Sequence, residues 1–370
     1  MPGPVAATRL PPSAAVGRVL AAPLAAGTDL PPVAVAACDG IAVQAARLDG
    51  AGSYTPVVLA RPARLAQGDP LPGGADAVVA DQDVLWRGDK AELSRPVAPG
   101  EGVRAAGRDI GAGTVWRRQG AVLSRWDLTL LAALEVCEVP VRIPRVALLP
   151  TGARLAASPR LDGISACLAA LIAAEGASVQ AVPAVAGRAE IAAAMVRAAD
   201  EADLVIATGG AGDHMAAALA DAGGLAGQGI ALRPGTTAGF GTVAGRPVIL
   251  LPGCPADALG AWLVLAAPAV RSLAGASPLL PRQGRLARKL VSTPGVAELA
   301  LLAADEDVLI PLAVGDLPLG AFARAQAYLV VPAASEGYDQ GALVDCSDLK
   351  QGQGAALDPQ GGGGPLDPIP

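Results

Sequence analysis

Val146-Ala-Leu-Leu-Pro-Thr-Gly152, Asp203-Leu-Val-Ile-Ala-Thr-Gly-Gly210 and Pro247-Val-Ile-Leu-Leu-Pro-Gly253 decide the fold. Each is a short aliphatic run that stops in a glycine turn. Such runs read as strands buried on both faces, the kind found in parallel sheets. Between them lie two helical segments, Ser165 to Ala174 and Ala189 to Ala199, and a further strand, Ala177 to Val182. Strand and helix alternating at this spacing is the pattern of βαβ units. A helix is expected after Pro252-Gly-Cys-Pro255, with Pro255 in its first turn, where a missing N–H is not felt. In an open parallel sheet, ligands bind outside the carboxyl ends of the strands. Three glycine turns at those ends therefore mark one crevice.

Outward from this core the chain changes character. The first 20 or so residues read as a short helical start, and Pro31-Pro32 opens a β-rich stretch. There Thr55 to Ala60, Ala75 to Ala80 and Lys90 to Ser94 are short runs separated by Gly and Pro. Ser124, with Asp127 three residues on, predicts a capped helix start before Leu128 to Leu134. Pro140 and Pro144 mark a linker. Beyond Ser277 a second β-rich segment contains Ala297 to Leu302, Ala327 to Val331 and Ala342 to Asp345. The expected class is a multidomain α/β plus β protein. Residues 1–30 with 101–143 form a mixed linker or dimerisation domain. A β-rich domain covers 31–100, a Rossmann-like α/β domain 144–276 and a C-terminal β domain 277–348. The tail 349–370, with Gly361 to Gly364, is expected to be disordered.

Composition narrows the classes. Hydrophobic residues make up 52% of the 370, yet aromatics only 2%, so the core is built of Ala, Val and Leu with close packing of elements. A mean hydropathy of +0.44 raises the question of a membrane. The longest apolar run, Leu259 to Val270, is too short to span and contains Pro268, so a buried helix is expected. Met1-Pro-Gly-Pro-Val shows no signal-peptide pattern, and a cytoplasmic protein is expected. Net charge is −6 with no basic block, which argues against a nucleic-acid partner. The five cysteines form no Cys-x-x-Cys pair, and the single histidine, His214, excludes a site needing several imidazoles.

The residues that could carry chemistry are few. Asp39 in Cys38-Asp-Gly-Ile-Ala-Val43 and Asp76 in Gly74-Ala-Asp-Ala-Val-Val79 are either turn residues bonding their own backbone or carboxylates offered to a metal or to a ligand's amine. Asp81-Gln-Asp83 and Gly100-Glu-Gly-Val-Arg104 extend this acidic and glycine pattern. Thr208-Gly-Gly-Ala-Gly-Asp-His214 is a glycine loop between strand and helix, whose N–H groups could hold phosphate. It is neither a Walker loop nor a Gly-x-Gly-x-x-Gly fingerprint. Asp213 there is either a helix cap or a metal ligand. His214 is either a helix-start residue or a catalyst. No Arg or Lys beside Cys254 argues for a reactive thiolate.

Taken in order, these motifs form a series: Asp-Gly-x-Ala-Val, Gly-Ala-Asp-Ala-Val-Val, Gly-Glu-x-Val-Arg-x-x-Gly-x-Asp-Ile, Pro-Arg-Val-Ala-Leu-Leu-Pro-Thr-Gly, Gly-Gly and Leu-Pro-Gly-x-Pro. The chain resembles the molybdopterin molybdenumtransferases, bacterial MoeA and the C-terminal domain of gephyrin, as a divergent member. The resemblance runs from about residue 10 to 347, and includes Val331 to Gly337 and Gly341 to Val344 in the last domain. It implies a four-domain subunit in a homodimer, with the site between the α/β domain of one subunit and the β domain of the other. The implied activity inserts molybdate into adenylylated molybdopterin, with magnesium and release of AMP. The implied recipient of the product is an apo-molybdoenzyme.

Carried over by position, the resemblance implies catalytic roles for Asp39, Asp76 and Asp162. It implies metal binding by Asp39 and Asp162, with Asp213 as a replacement ligand. Thr151, Gly152, Thr208, Gly209, Gly210, Asp213, Arg233, Pro252 and Gly253 are the expected pterin and phosphate contacts. The departures gather in the α/β domain. The family's Thr-Gly-Asp-Glu-Leu reads Thr151-Gly-Ala153-Arg154-Leu155, so both carboxylates are gone and a cation has entered. The Asn of Asp-Ser-Asn-Ser reads Ile164. Lys-Pro-Gly-Lys-Pro reads Arg233-Pro-Gly-Thr236-Thr237, which keeps one cation and loses the other. Leu-Pro-Gly-Asn-Pro-Val-Ser reads Leu251-Pro-Gly-Cys-Pro-Ala-Asp257. A lost charge-assisted phosphate contact removes about 1.5–3 kcal/mol. Pterin binding asks for less, a groove and a few polar anchors. The alternative function is therefore a carrier of molybdopterin or finished cofactor that has lost adenylate hydrolysis.

Overall fold

The computed structural model describes residues 3–157, 162–209 and 212–349, with only the backbone of Gly212 and Asp213. It divides into two compact units: residues 23–118 with 129–137, and the remainder of the chain. The tail beyond residue 349 lies outside the described residues.

The smaller unit is made of short antiparallel strands. Gly40–Val43 lies between Arg64–Leu65 and Ala77–Ala80, and Lys90–Leu93 lies between Val57–Ala60 and Leu85–Arg87. Their inward faces supply one core, with Ile41, Ala77, Val79 and Leu93 buried together with Leu48 of the short 3-10 helix Ala45–Leu48. Aromatic scarcity is met by close approach. A β-carbon at Gly40 would lie 2.1 Å from the Val79 carbonyl oxygen, so the strand pair closes only over glycine.

The larger unit holds the α/β domain. Its strands are β1 (Arg145–Thr151), β2 (Ser178–Ala181), β3 (Leu204–Gly209), β4 (Gly224–Gln228), β5 (Gly239–Val243) and β6 (Arg246–Leu251). They form one six-stranded sheet in the order β2-β1-β3-β6-β5-β4. The first four are parallel; β5 and β4 continue the sheet antiparallel. The helices are α1 (Ala153–Ala157), α2 (Ser165–Ala174), α3 (Arg188–Glu201), α4 (Gly212–Ala222), α5 (Pro255–Ala261) and α6 (Ala267–Ala274). One hydrophobic cluster gathers α2, α5 and α6 with one face of the sheet, and a second gathers α3 and α4 with the other. At the amino ends of the strands, the Asp203 carboxylate accepts the Arg145 backbone N–H at 2.9 Å and pairs with the guanidinium groups of Arg145 and Arg246. That clamp ties β1, β3 and β6 together at the end away from the glycine turns.

The apolar run around Leu259 to Val270 is helical, as expected, but not uniformly so. Residues 262–266 form a π turn joining α5 to α6, and the Ala267 N–H donates to the Trp262 carbonyl, five residues back. Pro268 follows at the start of α6. Proline cannot donate and its ring crowds the preceding turn, and the wider turn is the local answer. By length and composition Pro255–Ala274 could cross a membrane. Its Ala258, Ala261, Trp262, Ala266, Val270 and Leu273 are instead buried against the sheet.

The C-terminal strands close on themselves. Ala297–Asp305 pairs with Val308–Val314 and Ala327–Val331. Arg282–Leu286 joins Val308–Val314 to Leu343–Asp348, which pairs back with Ala327–Val331. A ring of this kind leaves few open edges. The short strand Leu232–Arg233, leaving the α/β domain, adds to it beside Ala297–Asp305. The helix expected after Ser124 starts at Asp127, whose carboxylate accepts the Ser124 N–H at 2.9 Å while the Ser124 hydroxyl accepts the Trp126 N–H.

Candidate functional site

The three glycine turns converge. Thr151 and Gly152 end β1, Gly209 ends β3, Gly253 follows β6, and all four line one open cleft of about 640 Å³. Ala153, Arg154 and Leu155 of α1, Ala186, Gly187 and Ile191 at the start of α3, and His214 and Met215 of α4 complete its described wall. The cleft lies at the carboxyl ends of the parallel strands, where an open sheet places its ligands.

The turns are braced from beneath by buried hydroxyls. The Thr151 Oγ1 donates to the Thr208 carbonyl at 3.3 Å, and the Thr208 Oγ1 to the Pro252 carbonyl at 3.5 Å. Both threonines are fully buried. Each links one turn to the next; Thr151 lines the cleft floor, and Thr208 braces it from beneath. Gly209 meets this floor closely. Its φ is +106°, and a β-carbon there would lie 2.3 Å from the Thr151 carbonyl oxygen. The Gly152 N–H is also engaged, donating to Val185 O at 2.9 Å.

The remaining expected site residues lie as follows. Asp162 sits before α2, with its Oδ1 accepting the Ser165 N–H at 2.9 Å and the Ile164 N–H at 3.2 Å. Asp257, in the first turn of α5, accepts the Gly235 N–H at 2.9 Å and holds the loop after Arg233. Arg233 is not among the described lining residues. It donates to Glu298 at 3.1 Å, a buried carboxylate that also accepts from the Ser292 hydroxyl and the Thr293 N–H. In the other unit, the Asp39 Oδ1 accepts the Gln67 N–H at 2.7 Å and the Asp76 Oδ1 accepts the Ala45 N–H at 2.6 Å. Asp39 and Asp162 thus belong to different units. Pro252 is buried beneath the third turn. Gly210 and the Asp213 side chain lie outside the described residues.

The wall formed by Ala186, Gly187 and Ile191 carries no charge or motif, and sequence reasoning does not single it out. The topological rule could have found it, since the β2–α3 loop also lies at a strand's carboxyl end. Magnesium, implied by the resemblance, finds no donor set among the described lining residues. No carboxylate lines the described cleft. Among the described residues no group of three or more His, Cys, Asp or Glu is placed to hold a metal ion.

Comparison with known proteins fits this geometry to a family. Residues 3–134 match the family described as "MoeA N-terminal region (domain I and II)", and residues 147–272 the one described as "Probable molybdopterin binding domain". Molybdopterin molybdenumtransferase 2 of Mycobacterium tuberculosis is 31% identical over 325 residues, covering 77% of this chain and 80% of that one. The chain belongs to the molybdopterin molybdenumtransferase family. A molybdopterin biosynthesis protein of Methanocaldococcus jannaschii is 26% identical over 91% of this chain and 90% of its own. The fold is that of the molybdopterin biosynthesis moeA protein of Pyrococcus horikoshii, with a TM-score of 0.75 at 24% identity over 94% of this chain and 96% of that one. The cleft walls, from Thr151 to Gly253, fall inside the matched molybdopterin-binding segment.

Proposed function

We propose that this chain acts in molybdenum cofactor biosynthesis, inserting molybdate into adenylylated molybdopterin with release of AMP. The observation that carries the reading is the convergence of three glycine turns on one cleft, within the segment that matches a molybdopterin-binding domain. The cleft offers what a pterin phosphate asks for: apolar walls from Leu155, Ile191 and Met215, exposed backbone at Gly253, and cationic reach from Arg154. Its threonine-braced floor fixes the spacing of the turns, which is the positioning that a group transfer needs. Asp39, Asp76 and Asp162 are the acids proposed to act on the adenylate and the molybdate. The working form is proposed to be a cytoplasmic homodimer, its product passing to an apo-molybdoenzyme. The transferase names of the relatives weigh against the carrier alternative.

The test is direct. Purified protein is incubated with adenylylated molybdopterin and molybdate, with and without magnesium, and AMP is followed. AMP release above the protein-free rate is expected. Absence of AMP under both conditions, with pterin still bound, leaves only the carrier.

A further inference from the structure

We propose that Arg154 is the residue that holds the phosphate of the pterin ligand, and that it does so by charge, with no divalent cation between protein and phosphate. This rests on the pterin reading above and specifies how that site works. The described cleft wall carries one guanidinium, one imidazole and no carboxylate. A metal bridge between protein and phosphate needs acidic donors on the protein side, and among the described lining residues there are none.

Arg154 is also uncommitted. It is exposed at the cleft and has no hydrogen bond or ion pair to any described residue, whereas Arg95, Arg145, Arg188, Arg233 and Arg271 are each held by a carboxylate. At the first turn the Gly152 N–H is spent on Val185 O. The guanidinium is the one formally charged donor on the described wall. Its planar fork matches a phosphate with two parallel N–H bonds. Low-dielectric walls, here Leu155, Ile191 and Met215, concentrate its field on whatever enters.

The experiment titrates molybdopterin, and separately its dephosphorylated form, into the full-length protein by pterin fluorescence. Wild type, Arg154→Ala and Arg154→Lys are each measured with magnesium and with EDTA. Wild type is expected to bind molybdopterin equally well in both. Arg154→Ala should lose about tenfold or more in affinity for molybdopterin and nothing for the dephosphorylated ligand. Arg154→Lys, keeping the charge without the fork, should fall between. An unchanged melting temperature for Arg154→Ala checks the fold. Loss of wild-type binding in EDTA overturns the inference, as does an Arg154→Ala protein that binds molybdopterin like wild type. Both leave the pterin reading standing. A wild type that binds neither ligand, with or without magnesium, overturns that reading and this inference together.

Discussion

Gly209→Ala tests whether the cleft floor is built as described. The added β-carbon would lie 2.3 Å from the Thr151 carbonyl oxygen and 3.4 Å from the Leu155 Cδ1. Carbon and oxygen approach favourably only to about 3.3 Å, so the overlap is on the order of 1 Å. Neither side can yield cheaply, because the oxygen belongs to the buried end of β1 and the glycine to the buried end of β3. The φ of +106° adds its own cost, roughly 1–3 kcal/mol for a residue with a side chain. Overpacking adds a further ~1–3 kcal/mol. The sum, about 2–6 kcal/mol, corresponds to a melting temperature lower by roughly 4–24 °C at about 2–4 °C per kcal/mol. Gly245→Ala is the control. Gly245 turns the β5–β6 hairpin at φ +76° with no atom within 4 Å of an added β-carbon, so only the backbone term applies. Thermal unfolding followed by circular dichroism reads both variants. A Gly209→Ala protein that melts no lower than Gly245→Ala would refute the close-approach argument.

Three further expectations follow from other parts of the molecule. Thr151→Val removes a buried hydroxyl that braces two turns, and should cost about 1–3 kcal/mol of stability while pterin affinity holds. A tenfold weaker Kd at unchanged stability would make Thr151 a ligand contact instead. Asp203→Ala opens the clamp at the far end of the sheet and should lower stability by about 1.5–3 kcal/mol with no change in ligand binding, read by urea unfolding and pterin titration. Burial pushes the Glu175 carboxyl above its ordinary value, against the downward pull of Arg271 2.9 Å away. The folded state then holds that proton more tightly than the unfolded state, so the group's stabilising contribution is full at low pH and is lost as pH rises through the folded value. Glu175→Gln should therefore gain stability relative to wild type as pH is raised from about 4 to 8. A urea-midpoint difference that is flat across that range would contradict the burial argument.

The α/β core is legible in the sequence because its strands are buried on both faces and its helices obey their own period. Ser165–Ala174 begins and ends where the pattern places it, and the strands run within a few residues of their aliphatic cores. What hides is the antiparallel extension. Gly224–Gln228 and Gly239–Val243 are glycine-rich, a composition that reads as loop. The structure shows why strands carry it there: a β-carbon at Gly241 would lie 2.0 Å from the Gly224 carbonyl oxygen. Val308–Val314 hides behind Pro311, which sits opposite Leu302 at a shift in register, a place where a sheet tolerates a missing donor. At the site, the crevice follows from topology. The inward aim of Thr151 and Thr208 does not, since it depends on how far apart the neighbouring turns fall.

The acids carry the last lesson. For Asp39 and Asp76 the sequence leaves open a turn residue or a functional carboxylate, and the resemblance gives Asp162 a functional part. The structure shows that these are compatible uses of one side chain. In Asp39, Asp76, Asp162 and also Asp257, Oδ1 accepts a backbone N–H. Among the described residues no hydrogen bond or ion pair engages the other oxygen of any of them. A carboxylate pinned by one oxygen has lost its rotamer freedom before a ligand arrives, and a pre-oriented acceptor spends less binding energy on ordering. Replacement by Asn keeps the pinned oxygen and the turn while removing the charge. Asp39→Asn should therefore fold like wild type and lose turnover, whereas Asp39→Ala should lose turnover and local stability together. Equal unfolding midpoints for the Asn and Ala proteins would show that the Gln67 bond holds nothing in place.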